Sequence, residues 1–352
     1  MKTVTADKIA SVAEHNELSR ELRLSADIPC EEGVLIAGEV LNNKSRYNVL
    51  ELTSGRMAAV KRGDIIVGAL GFRNALFGYS GKLPASIAVG DTLQLLNIGG
   101  VIGQCDSVNP ELGDPFDCRV LGAVLSFPYL GERIGVPARI GRFNLDSNAT
   151  LDTNGVPVVA LAGTTMDAGK TAAASAIVSR LRQRGLAIGG GKTTGVALRR
   201  DILAMQDAGA RDALLFSDFG VVTTSAATGP ALTRAIINQL AAAKPDVIVI
   251  ELGDGLLGSY GVEAILNADD IRSGLSAVVL CANDPVGAWG GVQLLRDRFS
   301  IEPTIITGPA SDNQVGIDIV RRSTDLVAIN ALTNGPVLGD FVADAVGLGG
   351  RA

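Results

Sequence analysis

The sequence is poor in the residues on which several kinds of chemistry and binding depend. It has one histidine, His15, in a polar N-terminal stretch, which leaves little for histidine-based catalysis or a histidine-ligated zinc site. The four cysteines lie far apart and form no Cys-x-x-Cys pair, which argues against a metal finger or a dense disulfide framework. Aromatic residues make up only 4% of the chain, so a stacking platform for single-stranded nucleic acid is not expected.

Long apolar runs and an excess of positive charge are also missing. No uninterrupted apolar run approaches the roughly 20 residues that a membrane helix needs, and residues 1–7 lack the apolar core of a signal peptide. Lys and Arg number 31 against 37 Asp and Glu, a formal net charge of −6, which disfavours a broad surface for a polyanionic backbone. We therefore expect a soluble, cytoplasmic protein that binds neither nucleic acid nor a membrane.

The first part of the chain has the pattern of a small all-β domain. A length of 352 residues favours two domains. Residues 6–25 are charged and loosely helical in pattern, and from Gly33 onward short apolar runs alternate with turns. The predicted strands are 33–41, 48–53, 64–70, 92–98 and 119–125. Residues 1–145 are thus predicted to form a helical lead-in and a small β domain, either a barrel or a sandwich.

The second part alternates between strand and helix patterns. Residues 146–155, rich in Asn, Asp and Thr, are predicted to be a linker. Beyond it, the predicted strands are 156–162, 186–189, 246–252, 276–281, 303–307 and 324–329, and the predicted helices include 171–183, 230–243 and 291–299. This alternation predicts an α/β domain over 156–352 with a parallel sheet covered on both faces.

A glycine-rich segment joins the first of these strands to the first helix. It reads Gly163-Thr164-Thr165-Met166-Asp167-Ala168-Gly169-Lys170-Thr171. Backbone N–H groups in such a turn, together with the helix N-terminus, form a phosphate-binding site, a P-loop. In that interpretation Lys170 reaches the β- and γ-phosphates of a nucleotide and the Thr171 hydroxyl binds Mg²⁺. The segment therefore predicts a nucleotide-binding domain with a P-loop NTPase fold.

The spacing of this loop resembles a particular branch of P-loop proteins. Five residues separate Gly163 from Gly169, and the loop is similar to the Gly-Thr-x-x-x-x-Gly-Lys-Thr loop of dethiobiotin synthetase and its relatives, which include the cobyric and cobyrinic acid synthetases. The same branch holds chromosome-partitioning ATPases, which carry an extra lysine where this chain has Thr165. The resemblance covers roughly residues 156–307, and the first 140 or so residues have no counterpart in dethiobiotin synthetase.

Two further segments carry the same resemblance. Gly191-Lys192-Thr193-Thr194-Gly195 stands where that family has a Lys-Pro-Val-x-x-Gly-like segment, although the proline is missing. Ile250-Glu251-Leu252-Gly253-Asp254-Gly255-Leu256-Leu257 is similar to the family's Val-Glu-Gly-Ala-Gly-Gly-Leu segment. By this resemblance Lys170, Lys192 and Glu251 are catalytic, and Thr171 and Glu251 hold Mg²⁺. A carboxylate at the C-terminal end of a parallel strand would face the nucleotide crevice.

Candidate substrate contacts are Thr193, Thr194, Asp218 and Asp254. Asp218 lies in a polar stretch before the helix predicted at 230–243, and Asp254 replaces a small residue of the family pattern. Arg199-Arg200-Asp201 either clamps an anionic substrate or is a solvated helix start, and we favour the second interpretation. No Asn-Lys-x-Asp guanine signature follows the strand predicted at 303–307, which favours ATP over GTP.

These predictions lead to one function and two alternatives. The resemblance implies a Mg²⁺- and ATP-dependent ligase or phosphotransferase that phosphorylates a small carboxylate or carbamate, and it implies a homodimer. The first alternative is a nucleotide-gated binding or assembly ATPase. The second is a GTP-binding accessory factor of cofactor biosynthesis, similar to the molybdopterin-guanine dinucleotide biosynthesis protein.

Overall fold

The computed structural model describes residues 1–129, 131 and 133–350. The strands are β1 Lys2–Thr5, β2 Lys8–Ile9, β3 Glu21–Ser25, β4 Leu35–Val40, β5 Val49–Glu51, β6 Met57–Ala59, β7 Ile65–Leu70, β8 Arg73–Asn74, β9 Tyr79–Lys82, β10 Thr92–Leu95, β11 Val101–Val108, β12 Phe116–Ser126, β13 Val136–Pro137, β14 Val158–Gly163, β15 Ile188–Lys192, β16 Asp212–Leu215, β17 Val247–Glu251, β18 Ala277–Cys281 and β19 Ile305–Thr307. The α-helices are α1 Lys170–Gln183, α2 Arg200–Asp207, α3 Gly229–Ala242, α4 Val262–Asn267, α5 Asp269–Gly274, α6 Pro285–Phe299, α7 Gln314–Thr324 and α8 Gly335–Ala345.

The contacts divide the chain into two units. The N-terminal unit comprises residues 1–144 together with 196–200 and 216–223, and the C-terminal unit comprises 145–195, 201–215 and everything from 224 onward. The predicted domains, 1–145 and 156–352 with a linker at 146–155, were continuous segments and did not include these two returns of the chain to the N-terminal unit. The last two residues of the predicted second domain, 351 and 352, lie outside the described residues.

The N-terminal unit is built on a closed ring of strands. β4 pairs with β7, β7 with β11, β11 with β10, β10 with β12, and β12 with β4, and only the β7–β11 pair is parallel among these five. A ring of this kind has no free edge, so of the two predicted alternatives the structure is a small barrel. Its strands alternate buried and exposed residues, as in β12, where Phe116, Cys118 and Val120 are buried.

The predicted helical lead-in is wrong. Residues 6–25 form part of the sheet through β2 and β3, and the helical part is a single 3-10 segment, Ser11–Asn16. The apolar anchors Leu22 and Leu24 are two residues apart and both buried in β3. That spacing is the period of a strand and not of a helix.

The C-terminal unit is a parallel six-stranded sheet in the order β16-β15-β17-β14-β18-β19. All six residues of β14 are buried, as expected of a strand covered on both faces. Val159 and Leu161 belong to the core shared with α1, α2 and α8, while α3 and α6 pack on other parts of the sheet. This confirms the predicted α/β architecture preceded by an all-β region.

Two details of this sheet differ from the prediction. The second strand runs from Ile188 to Lys192, whereas the predicted strand ended at residue 189. The prediction stopped short because three consecutive glycines give this segment a low strand propensity. Those glycines allow helices to approach closely: a Cβ on Gly191 would lie 2.9 Å from the side chain of Ile236 in α3. The strand predicted at 324–329 is reduced to one bridge between Ile306 and Ala328. None of the helices in the described part of the chain is both long and apolar enough to span a membrane.

Candidate functional site

The segment 163–171 forms a loop between β14 and α1, at the carboxyl edge of the parallel sheet. Gly169 caps α1 with φ +87°, a left-handed conformation that favours glycine. Because this cap residue has no side chain, it supplies no side-chain acceptor for the first N–H groups of the helix. The helix N-terminus therefore remains open to an anion from the side of the loop.

Lys170 folds its side chain back into the loop. Its ammonium group donates hydrogen bonds to the carbonyl oxygens of Thr165 at 2.8 Å, Met166 at 3.1 Å and Asp254 at 2.5 Å. The residue is only 3% exposed. Burial lowers the pKa of this ammonium, and the carboxylate of Glu251 opposes the shift. The loop thus holds a cation at its centre, where the strand–loop–helix pattern predicts the terminal phosphates of a nucleotide.

A cluster of oxygens adjoins Lys170. The hydroxyl of Thr171 lies 3.1 Å from Oε2 of Glu251 and 3.2 Å from Oδ1 of Asp201. Glu251 is the last residue of β17, the strand beside β14, and Asp201 lies in the first turn of α2. Both carboxylates are buried, Glu251 at 2% exposure and Asp201 at 6%. Oxygen atoms of three side chains, from three different elements, therefore meet beside the loop.

Lys192 is paired with this cluster. Its ammonium contacts Oδ2 of Asp201 and lies 3.7 Å from Oε1 of Glu251. Burial raises the pKa of Glu251, and the charge of Lys192 opposes that shift. With Lys170, the group contains two ammonium groups and two carboxylates, so its buried charges are nearly balanced.

These residues fit a Mg²⁺ ion. A hydroxyl and two carboxylates are hard oxygen donors, and Mg²⁺ is typically held by one or two carboxylates, with water and substrate phosphates completing its shell. Among the described residues there is no group of three or more His, Cys, Asp or Glu side chains that could form a metal cage. A set of one hydroxyl and two carboxylates suits a Mg²⁺ ion whose remaining positions are filled by water and by substrate phosphates.

The predicted substrate residues are distributed over both units. In the C-terminal unit, the Thr194 hydroxyl donates to the carbonyl of Gly253 at 3.0 Å, and Thr193 is fully buried with no hydrogen-bond partner for its hydroxyl within the described structure. Asp254 is buried and has φ +72°, and its carbonyl accepts the bond from Lys170. Thr193 and Thr194 thus come immediately after Lys192 in the chain, and Asp254 lies three residues after Glu251.

Asp218 belongs to the N-terminal unit instead. Its carboxylate lies 2.5 Å from Nε2 of His15 and 3.3 Å from the guanidinium of Arg142, and its carbonyl accepts the N–H groups of Arg142 and Phe143. The structure does not group it with the other three residues, and its predicted contact with substrate stays a prediction.

The turn after β19 packs against the end of the loop. Gly308, with φ +92°, lies so close to Ala168 that a Cβ on Gly308 would stand 2.3 Å from the carbonyl oxygen of Ala168. The same Cβ would be 2.9 Å from the carbonyl oxygen of Ala282, which follows β18. The final residues of the loop are therefore supported from the neighbouring strand ends.

Sequence reasoning missed Asp201. The favoured interpretation of Arg199-Arg200-Asp201 as a solvated helix start is wrong for the aspartate, because its carboxylate is buried against Lys192 and Thr171. The available signal was its position, an acidic residue in the first turn of a helix that follows a strand of the parallel sheet.

The order of elements, the loop geometry and the position of Lys170 define the C-terminal unit as a P-loop NTPase fold. No protein-family model matches the chain, and no curated protein matches its sequence. Among solved structures, it is similar to the signal recognition particle receptor FtsY from Elizabethkingia anophelis, with 15% identity, a TM-score of 0.39, and coverage of 55% of this chain and 67% of that one.

Two other structures show a similarity of the same order. A DUF1611 family protein from Anabaena variabilis is 18% identical, with a TM-score of 0.41 and coverage of 58% of this chain and 62% of that one. The hydrogenase maturation factor HypB from Archaeoglobus fulgidus is 14% identical, with a TM-score of 0.38 and coverage of 55% and 91%. At these values the similarity supports no particular activity, and it does not place the chain in the dethiobiotin synthetase branch.

Proposed function

We propose that the protein is a Mg²⁺-dependent P-loop enzyme that cleaves a nucleoside triphosphate at the γ-phosphate. The observation that carries the proposal is the hydroxyl of Thr171, which meets the carboxylates of Glu251 and Asp201 one residue after the lysine that fills the loop. Residues 163–171 hold the phosphates through backbone N–H groups, and Lys170 offsets charge on the β- and γ-phosphates.

Thr171, Glu251 and Asp201 are the residues that would hold the metal. Mg²⁺, when bound, neutralises charge on the phosphate oxygens. Lys192 pairs with Asp201 and orients its carboxylate, and it supplies a second positive charge on the side of the substrate. No protein base is required, because positioning and electrostatic stabilisation account for most of the catalysis of phosphoryl transfer.

The finer proposal follows the resemblance to dethiobiotin synthetase. ATP is the phosphoryl donor, and the acceptor is a small carboxylate or carbamate held near Lys192, Thr193, Thr194 and Asp254. An oxygen of the acceptor attacks the γ-phosphorus, ADP leaves, and an acyl phosphate forms. A nitrogen nucleophile then attacks the acyl carbon and releases inorganic phosphate. The buried hydroxyl of Thr193, which has no hydrogen-bond partner among the described residues, supports a polar ligand at this position.

A first experiment tests the nucleotide site. Binding of ATP and of GTP is measured by calorimetry with Mg²⁺ for the wild type, for Lys170→Ala, and for Lys244→Ala, which removes an exposed lysine of the same unit. Loss of a charged hydrogen-bond donor should weaken binding of the preferred nucleotide by about 10- to 100-fold in Lys170→Ala. Lys244→Ala should bind as the wild type does. Equal binding by all three proteins would contradict the assignment of the loop.

A second candidate function is a nucleotide-gated binding or assembly protein. It is favoured by one observation: residues 196–200 and 216–223, which follow β15 and β16, belong to the N-terminal unit. A ligase forms ADP rapidly only when its acceptor is present, and with hydroxylamine it yields a hydroxamate from the acyl phosphate. A switch hydrolyses slowly without an acceptor and changes its oligomeric state with nucleotide. A GTP-using accessory factor would show the same slow hydrolysis with GTP preferred.

A further inference from the structure

The N-terminal unit holds a buried arginine whose hydrogen-bond acceptors are all neutral. Arg73 begins β8 and is only 4% exposed. Its guanidinium donates to the hydroxyl of Tyr47 at 3.2 Å, to the carbonyl of Phe77 at 3.2 Å and to the carbonyl of Leu96. Within the described residues Arg73 forms no ion pair. Its hydrogen bonds therefore satisfy N–H groups without compensating the charge.

One nitrogen of the same guanidinium has no acceptor. Nε of Arg73 is buried, and in the part of the chain that the structure describes it has no hydrogen-bond partner. A buried charge is costly unless it is paired, and an unsatisfied buried donor adds to the cost. Because buried polar groups in proteins are almost always satisfied, this arrangement indicates that Arg73 has a negatively charged partner.

A second cation lies beside the same aromatic side chains. The rings of Tyr47 and Tyr79 meet edge to face, with their centres 5.7 Å apart. The guanidinium of Arg73 lies 5.8 Å from the centre of the Tyr47 ring. The ammonium of Lys44 lies 5.1 Å from the centre of the Tyr79 ring, and it donates to the Tyr79 hydroxyl at 2.5 Å and to two backbone carbonyls. Two cations thus flank one pair of tyrosines.

The group of Lys44, Tyr47, Arg73 and Tyr79, which we call the Arg73 cluster, carries a net positive charge. Burial raises the pKa of Tyr79 to about 12, so its phenol stays protonated and neutral at pH 7. Burial lowers the pKa of the Lys44 ammonium, and the carboxylate of Asp114 opposes that shift. No ion pair joins Asp114 to Lys44 among the residues that the structure describes. The cluster therefore places no carboxylate against either cation.

The backbone is shaped around the guanidinium. Gly78 has φ +122°, and a Cβ there would lie 2.6 Å from Nη2 of Arg73. Tyr47 has φ +51°, a left-handed conformation that is unusual for a bulky residue and is typically kept where it serves a function. Leu76 and Phe77, in the segment that contacts Arg73, are exposed at 62% and 41%. A segment with so little apolar packing opens readily, which gives a small molecule access to Arg73.

We infer that the Arg73 cluster binds a small organic oxyanion, a molecule that carries a carboxylate or a phosphate group. The planar N–H groups of a guanidinium match two oxygens of such a group. The anion binds side-on to Nε, which has no other acceptor among the described residues, and to Nη2, which it takes from the carbonyl of Phe77. Lys44 adds a second positive charge. All of these residues belong to the N-terminal unit, so the inference is independent of the proposed function.

The test uses the whole chain without nucleotide or Mg²⁺. Succinate and inorganic phosphate are the two probes, and succinamide, which has the shape of succinate without its charge, is the control. Binding is measured by calorimetry and by the NMR signal of the Arg73 Nε–H group, identified by its absence in Arg73→Met and in Arg73→Lys. We expect succinate or phosphate to bind and to shift this signal, and succinamide to leave it unchanged. The probe that binds identifies the group that is recognised.

Four variants locate the bound anion. Arg73→Met should weaken its binding by about 10- to 100-fold, the loss expected when hydrogen bonds from a charged group are removed. Arg73→Lys keeps the charge without the planar fork and should give a smaller loss. Arg62→Met, which removes an exposed arginine of the same unit, should bind as the wild type does. Lys170→Ala should also bind as the wild type does, because Lys170 lies in the other unit.

The results that would overturn the inference do not all depend on the folding of a variant. An Arg73 Nε–H signal that neither probe shifts in the wild type would overturn it. Wild-type affinity in Arg73→Met, shown by melting to be folded, would overturn it as well. Binding that is lost in Lys170→Ala and kept in Arg73→Met would assign the anion to residues 163–171. That result would overturn the inference and support the proposed function.

Discussion

Replacement of Gly308 by alanine tests how the loop at residues 163–171 is held in place. Gly308 has φ +92° and ψ −170°, a backbone region that essentially only glycine adopts, and a residue with a Cβ costs about 1–3 kcal/mol there. The added methyl carbon would stand 2.3 Å from the carbonyl oxygen of Ala168, and real contacts of this kind do not fall below 3.0 Å. One of the two groups must therefore move by about 0.7 Å or more.

The structure indicates which group moves. On the other side of Gly308, the N–H of Ala282 donates to the carbonyl of Thr307 and the N–H of Ala310 donates to the carbonyl of Ala282, both at 2.9 Å. The methyl group would also be 2.9 Å from that second carbonyl oxygen, so retreat toward β18 is blocked. We expect the displacement to fall on Ala168 and the end of the phosphate-binding loop.

The expected result is a stable fold with a poor site. A misplacement of about 1 Å lowers turnover by about 100-fold. The strain of about 2 kcal/mol should lower Tm by about 4–8 °C for a unit of this size. Steady-state release of phosphate from ATP and GTP measures the first effect, and calorimetric melting measures the second.

Gly290→Ala is the matched control. Gly290 lies in α6, and a Cβ there has no neighbour within 4 Å. This variant should keep wild-type turnover and melt at the same or a slightly higher temperature, because alanine is the better helix former. Wild-type turnover in folded Gly308→Ala would refute the view that the turn after β19 positions the loop.

Three further predictions concern ionisable groups. Burial raises the pKa of the Cys118 and Cys281 thiols to about 12, so at pH 8 both should react with an aromatic disulfide reagent only after unfolding; rapid reaction of all four cysteines would contradict their burial. Burial raises the pKa of Glu251 above 4.5, and a proton on this carboxylate competes with Mg²⁺. The gain in nucleotide affinity that Mg²⁺ causes should therefore increase as the pH rises through the raised pKa. In Glu251→Gln this gain should not depend on pH. The bidentate hydrogen bond from Arg234 lowers the pKa of Asp270 to about 2. The contribution of this pair to the free energy of unfolding is therefore complete above pH 3.8 and is lost as the pH falls through about 2. In urea unfolding, Asp270→Asn should lower the free energy of unfolding by about 0.5–1 kcal/mol at pH 7 and leave it unchanged below about pH 2.

The core of the candidate site was predictable because it is local in the chain. The loop, the strand before it and the helix after it are contiguous, and each has a pattern set by short-range geometry: a buried run for β14, a helical period for α1, glycine where the backbone turns. The position of the Glu251 carboxylate was predictable for a similar reason. Glu251 ends an apolar strand, and the carboxyl ends of parallel strands meet at one edge of the sheet.

Other features had no local signal. The lead-in at residues 6–25 carries too few apolar residues to show its period, and its strands are defined by pairing with distant partners such as β7 and β12. The second strand of the C-terminal unit is glycine-rich because helices approach it closely on both faces, a requirement that depends on packing and not on propensity.

The sequence by itself determined the loop at residues 163–171, the parallel sheet around it and the all-β character of what precedes it, because these depend on periodicity and on turn chemistry over a few residues. Only the tertiary structure decided that Thr171 meets Asp201 and Glu251, which lie 30 and 80 residues further along the chain, and that residues 196–200 and 216–223 return to the N-terminal unit. Such contacts arise from burial and from the pairing of charges between segments that are far apart in the chain, and neither leaves a periodic trace in the order of residues.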